Sequence, residues 1–174
     1  MLSRFVDFAS AEWISSAMPH VSDFQDAIAY SDDRERVDVA QLLALYRITW
    51  WGAERTVEQV RRALDHSHPV ITAWEGARMI GFTRVISDLT YRATIWDVIV
   101  AESHRGHGVG RAMMQRVLEH PDLRTVTMFV LLTKDKHRFY EHFGFVTDPQ
   151  FSMVLRRQPA GGGGSPIDPQ GKDV

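Results

Sequence analysis

Apolar positions recur along the chain with a period that switches from helical to extended and back. Val39, Leu42, Leu43 and Tyr46 share one helical face, and Asp38 precedes them with Gln41 three residues later, the spacing of a capping box. Thr56 and Gln59 repeat that spacing ahead of Val57, Val60 and Leu64, which predicts a second helix running to Ser67. The pattern then becomes extended. Val70–Trp74 and Met79–Val85 flank Glu75-Gly76-Ala77-Arg78, a hairpin by its turn residues, and Thr94–Val100 is rich in β-branched and aromatic residues. Gly110–Glu119 places Met113, Met114, Val117 and Leu118 on one helical face and stops before Pro121. Thr125–Leu132 predicts another strand, Asp135–Phe143 a helix closed by Gly144, and Phe145–Thr147 and Ser152–Arg156 short strand material. Helices, an antiparallel meander and then strand–helix–strand–helix–strand together predict an α/β (α+β) fold built on one mixed sheet in a single domain.

Composition narrows what such a fold can do. The 174 residues are 44% hydrophobic and 24% charged, enough apolar mass for a sizeable core. There is no cysteine, which excludes a disulfide framework, a thiolate metal site and a thiol nucleophile. The net charge of −2 argues against a general nucleic-acid binder. That total hides a division: residues 1–100 sum to −4, residues 101–160 to +3 and the remainder to −1. Either this is scatter, or the second half meets an anion.

The ends carry fewer signals. Met1–His20 holds Arg4, Asp7 and Glu12 and lacks the continuous apolar core of a signal peptide. No stretch approaches the ~20 apolar residues of a membrane span, so the expectation is a cytoplasmic protein that contacts neither membrane nor nucleic acid. Residues 159–174, opening on Pro159-Ala160-Gly161-Gly162-Gly163-Gly164-Ser165-Pro166, have few side chains to bury and predict a disordered tail. The expected organisation is an extension over 1–26, a folded domain over 27–158 and the tail over 159–174.

One segment carries chemistry. Trp96-Asp97-Val98-Ile99-Val100 runs into Ala101-Glu102-Ser103-His104-Arg105-Gly106-His107-Gly108-Val109-Gly110-Arg111, a strand leading through alternate glycines into a helix. Glycine permits positive φ and close backbone approach, and a helix start offers unpaired N–H groups at the positive end of the dipole. The result is an anion cradle, to which Arg105 and Arg111 add charge. The spacing fits neither a nucleotide P-loop nor a dinucleotide fingerprint, because the third glycine comes one residue early.

Arg105-Gly106-His107-Gly108-Val109-Gly110 instead resembles the Arg/Gln-x-x-Gly-x-Gly/Ala loop of the GNAT superfamily of acetyl-CoA-dependent N-acyltransferases. Arg138-Phe139-Tyr140-Glu141-His142-Phe143-Gly144-Phe145 resembles that family's Phe-Tyr-x-x-x-Gly-Phe helix end, at the usual separation with one strand between. The resemblance covers roughly residues 27–157. Ala93–Val98, Asp148-Pro149-Gln150, Trp50-Trp51 and Arg84–Asp88 look most like the cyanobacterial and plastid branch that includes serotonin N-acetyltransferase-like proteins.

The resemblance implies a mostly antiparallel central sheet flanked by helices, acetyl-CoA as co-substrate, no metal, and a monomer or homodimer acting on an amine of a small molecule or a protein. It implies that Val98, Ile99 and Val100 lend backbone groups to the pantetheine arm. Arg105, Gly106, His107, Gly108, Val109, Gly110 and Arg111 would hold the pyrophosphate. Thr133 stands where many members carry Asn, keeping a hydroxyl but losing the amide. Tyr140 occupies the general-acid position, against the alternative of a core aromatic. For the base, Asp97 is the only titratable residue on its strand; alternation puts it on the face opposite Thr94, Trp96 and Val98 unless a bulge re-aims it. A structural role for Asp97, or proton loss through water without a dedicated base, stays open. Trp50, Trp51 and Asp88 are candidates for the acceptor side, the tryptophans alternatively serving as core. His104 and His107 lie ahead of a helix, so their spacing does not converge on a metal. The competing reading is a non-catalytic acyl-CoA sensor or interaction domain on the same fold.

Overall fold

The computed structural model describes residues 28–148. The chain divides at Leu132/Thr133 into two units. The first contains a five-stranded sheet in the order β1 (Ile28–Ser31), β2 (Val70–Glu75), β3 (Arg78–Ser87), β4 (Arg92–Val100) and β5 (Met128–Leu131). The β1–β4 neighbours are antiparallel, and β4 with β5 is parallel. Helices α1 (Val39–Arg47), α2 (Val57–Asp65) and α3 (Val109–Leu118) complete this unit. The second unit holds the short helix α4 (His137–Glu141). No helix among the described residues is long and apolar enough to cross a membrane.

The sheet is covered on both faces, and neighbouring residues of β3 show how. Phe82 meets Tyr46 of α1 edge to face at 6.2 Å. Gly81, pointing the opposite way, faces α3: a Cβ there would lie 2.9 Å from Met113 Sδ and 3.1 Å from Ala73 Cβ. Glycine at this position lets α3 sit close to the sheet. Burial on both sides explains why β2 and most of β3 read as nearly unbroken apolar runs. Met113, Met114 and Val117 of α3 and Leu42 and Tyr46 of α1 are fully buried.

Local chemistry sets the ends. Thr56 and Gln59 form the expected reciprocal capping box of α2. Asp38 caps α1 by accepting from Ala40 N and Gln41 N, but Gln41 serves a different purpose from the one its spacing suggests. Its amide donates to Ala77 O (3.2 Å) and accepts from Met79 N (2.7 Å), tying α1 to the β2–β3 hairpin. Gly76 turns that hairpin at φ +57°.

Several expected elements are shorter. The second helix stops at Asp65, and Ser67 instead folds its hydroxyl back onto Ala63 O (2.6 Å). The β5 ladder spans four residues because it pairs with β4 only from Arg92↔Met128 to Ile95↔Leu131. Strand β1 was not anticipated, since four residues give too short a run for a period to register. Phe145–Thr147 forms no strand among the described residues, and Ser152–Arg156, the N-terminal extension and the tail lie outside them.

Phe82 is fully buried beneath Tyr46. Phe82→Ala is expected to lower unfolding free energy by about 3–5 kcal/mol, read as a lower urea midpoint at unchanged slope.

Candidate functional site

The glycine loop joins β4 to α3 as the sequence suggested. Gly106 and Gly108 hold φ of +80° and +85°, conformations that cost other L-residues energy. Gly108 is the N-cap of α3, and no side chain caps it. The first intrahelical bond is Ala112 N to Gly108 O, so the N–H groups of Val109, Gly110 and Arg111 open the positive end of the helix. Gly110 lies inside α3. Arg105 is exposed; its Nε donates to Val100 O (3.1 Å) and its Nη1 to Glu102 (3.3 Å). His104 Nε2 lies 3.2 Å from Glu75, which joins this histidine to the end of β2.

Strand β4 changes neighbours halfway along. Pairing with β5 ends at Ile95, whereas pairing with β3 continues to Val100. Beyond Ile95 the edge of β4 away from β3 carries the backbone groups of Val98 and Val100, with Ile99 turned toward β3; Ile99 is buried and the flanking valines are half-buried. A strand edge that ends its ladder presents N–H and C=O groups to any extended amide-bearing ligand.

A bulge lies at this divergence. Arg84 pairs with Trp96 and Phe82 with Ile99, so Thr83 stands opposite both Asp97 and Val98. Asp97 takes the left-handed conformation at φ +58°, one of the few non-glycine types that tolerate it. The bulge breaks alternation: Arg84 contacts both the Asp97 carboxylate and the Trp96 ring, so these sequence neighbours face the same side. The placement of Asp97 opposite Trp96 by alternation is thereby corrected.

The Asp97 carboxylate is almost fully enclosed. Its Oδ2 accepts from Arg84 Nε (2.6 Å), Arg55 Nη1 (2.8 Å) and Tyr46 OH (2.8 Å), and its Oδ1 accepts from Arg55 Nη2 (3.1 Å). Burial by itself would raise this carboxyl, but the hydrogen bonds from Arg55 and the charge of Arg84 outweigh it and hold the group below the usual carboxylate range. Burial and the adjacent carboxylate push the Tyr46 phenol upward. Arg84 also donates to Ser67 Oγ (3.3 Å), and Arg55 stacks over the rings of Tyr46 (4.3 Å) and Trp51 (5.0 Å). A carboxylate bonded this way is a weak proton acceptor.

Tyr46, Arg55 and Arg84 were missed by sequence reasoning. The available signal was Arg84 itself, a charge inside an apolar strand, facing another strand that carries one carboxylate. Of the acceptor-side candidates, Trp51 packs edge-on against Tyr46 (5.9 Å) within this cluster, while Trp50 is 81% exposed. Asp88 is an exposed turn residue whose Oδ1 accepts the backbone N–H groups of Thr90, Tyr91 and Arg92, which lowers its pKa.

In the second unit, Tyr140 is half-buried on α4 with ring contacts to Phe139 (4.9 Å) and Phe145 (6.1 Å). Burial, with the Asp135 charge, pushes its phenol up to about 12. Thr133 Oγ1 accepts from Lys136 N (3.1 Å), closing the turn ahead of α4, and the hydroxyl keeps its proton to donate.

Comparison with known proteins follows the same lines. The Acetyltransferase (GNAT) domain family matches residues 66–147. A relative named uncharacterized N-acetyltransferase ycf52, from Porphyra purpurea, is 30% identical over 127 residues, covering 69% of this chain and 71% of that protein. The chloroplastic serotonin N-acetyltransferase 2 of Oryza sativa subsp. japonica is 34% identical over 100 residues, 55% of this chain and 50% of that one. The chain thus spans between half and about seven tenths of these curated relatives' lengths. A GNAT-family crystal structure from Xanthomonas campestris pv. campestris superposes with a TM-score of 0.68 at 35% identity, covering 82% of this chain and 96% of that one.

Asp97→Asn leaves two guanidinium groups facing a neutral amide and is expected to cost about 3–5 kcal/mol. Because the folded carboxyl titrates below its unfolded value, its contribution is complete above about pH 4 and is lost as pH falls through the folded value. Urea unfolding at pH 7 and at lower pH should show a smaller acid-side loss in Asp97→Asn than in the parent chain. An equal loss would remove Asp97 from the linkage.

Proposed function

Because the chain belongs to the GNAT superfamily of acetyltransferases, we propose that it transfers the acetyl group of acetyl-CoA to a primary amine by direct attack. The observation that carries this reading is the junction at the end of β4. A strand edge released from its ladder leads through two left-handed glycines into an uncapped helix start. The two amides of a pantetheine arm suit the strand edge at Val98 and Val100, and the pyrophosphate suits the N–H groups over Gly106–Arg111, with Arg105 and Arg111 supplying charge. The family resemblance assigns Thr133 a hydrogen bond to the cofactor.

The chemistry needs a neutral amine, since an ammonium has no lone pair. The amine nitrogen attacks the thioester carbonyl, a C–N bond forms, and the carbonyl electrons move onto oxygen. On collapse the C–S bond breaks and the sulfur leaves with its electron pair. The family resemblance assigns the proton that this sulfur takes up to the Tyr140 phenol, which regains one from solvent. A phenol raised to about 12 keeps its proton at neutral pH, as an acid in waiting must. The proton lost by nitrogen departs through water. Asp97 does not take it, because both its oxygens are engaged by arginine; Asp97 acts as a positioning residue for the bulge.

The acceptor is a primary amine of a small molecule or of a protein. The exposed Trp50 and the Trp51 edge supply aromatic surface, and the serotonin N-acetyltransferase relative puts tryptamine-like amines first among those to try.

Thiol release from acetyl-CoA, measured across tryptamine-like amines, polyamines and lysine peptides, is expected to be amine-dependent. Calorimetric binding of acetyl-CoA with no thiol release on any amine would mark the chain as an acyl-CoA sensor. Tyr140→Phe is expected to lower kcat by about 100-fold with little change in acetyl-CoA affinity. Gly108→Ala, strained by about 1–2 kcal/mol at its positive φ, is expected to weaken acetyl-CoA binding roughly tenfold.

A further inference from the structure

At the opposite end of α3 from the glycine loop, a second group of side chains converges that the transfer reaction does not use. His68 lies between α2 and β2, and His120 and Asp122 follow the C-terminal end of α3. One ring nitrogen from each histidine and one carboxylate oxygen of Asp122 all fall within 4.8 Å of one another. His68 Nε2 is 2.7 Å from Asp122 Oδ2, and His120 Nδ1 is 4.0 Å from the same oxygen. The geometry points to a binding site for a borderline divalent metal ion of the zinc class, held by His68 Nε2, His120 Nδ1 and Asp122.

Four features support that assignment. First, tetrahedral zinc with bonds of about 2.0–2.1 Å separates its ligand atoms by about 3.3 Å, and the two observed separations bracket that distance. Second, His120 is buried, and its Nε2 lies 3.4 Å from Asp32. A proton on Nε2 shared with that carboxylate leaves the Nδ1 lone pair for the metal, the carboxylate–histidine–metal arrangement that orients ligating imidazoles. Third, His120 and Asp122 follow the C-terminal end of α3, where the helix dipole favours a cation. Fourth, two imidazoles and one carboxylate suit zinc, cobalt or nickel better than magnesium, which prefers an all-oxygen shell.

Binding replaces two existing contacts. The proton between His68 and Asp122 leaves, and the long hydrogen bond from Asp122 N to His120 Nδ1 (3.2 Å) is given up. Water completes the fourth position. The α3 helix is about 15 Å long, so the metal stands far from the loop proposed for pyrophosphate and acts as a cross-link between the α2–β2 connection and the α3 exit.

Zinc chloride titrated into the full chain by calorimetry at pH 7.5 is expected to bind one ion per chain, and magnesium chloride is expected not to compete. His68→Ala and Asp122→Asn, both at exposed residues, are each expected to weaken zinc binding at least tenfold while the metal-free chain keeps its fold. Asp32→Asn is expected to weaken it by roughly tenfold through His120. In thermal melts, zinc at about a hundredfold excess over its Kd should raise the Tm of the parent chain by about 5 °C, and that of His68→Ala far less. Failure of the parent chain to bind zinc, or binding unchanged in both His68→Ala and Asp122→Asn, overturns the assignment.

Discussion

The carboxylate of Asp97 is the point on which the rest of the first unit is aligned. Four hydrogen bonds reach its two oxygens, from β3 through Arg84, from the α1–α2 connection through Arg55, and from α1 through Tyr46. A buried charge costs several kcal/mol in lost hydration, and a pair of arginines returns about as much as it takes. The gain is therefore positional. The cluster fixes a left-handed residue in the middle of a strand, and that residue is the bulge. The ladder of β4 with β5 ends at Ile95, just ahead of this bulge, while its ladder with β3 runs on. The edge of β4 without a β5 partner begins beside this bulge, and at its far end the Val100 carbonyl accepts from Arg105 Nε.

The local features were legible in the sequence because their physics is local. Thr56 and Gln59 lie three residues apart and satisfy each other's helix start wherever α2 goes. The alternate glycines between a strand and a helix announce a left-handed turn into an uncapped helix start without any tertiary information. The Asp97 cluster is different. Its partners stand 13, 42 and 51 residues away, and nothing in a period or a propensity links them. Alternation also failed at Asp97, since one inserted residue reverses which face a strand's side chains take. Gln41 shows the same limit on a smaller scale, because a residue with capping spacing was drawn to the backbone of a hairpin it could reach only in the folded chain.

The charge division acquires a structural meaning through α3. Its N-terminus, in the basic stretch of sequence, opens on Gly106–Arg111 and suits an anion. Its C-terminus is followed by His120 and Asp122, where a helix dipole favours a cation. One helix ten residues long thus separates two chemistries of opposite sign, the proposed acetyl-CoA contact at one end and the proposed metal cross-link at the other. The acidic stretch contributes Asp97, whose charge is consumed internally by two arginines, so it adds nothing to an outward field.

If the Asp97 bulge frees the β4 edge for a pantetheine arm, a crystal structure of the chain with acetyl-CoA will have pantetheine amides hydrogen-bonded to the backbone of Val98 and Val100, pyrophosphate oxygens on the N–H groups between Gly106 and Arg111, and Asp97 still held by Arg55 and Arg84. Acetyl-CoA bound away from β4, or Asp97 released from both arginines and turned toward the acetyl carbon, would overturn that reading.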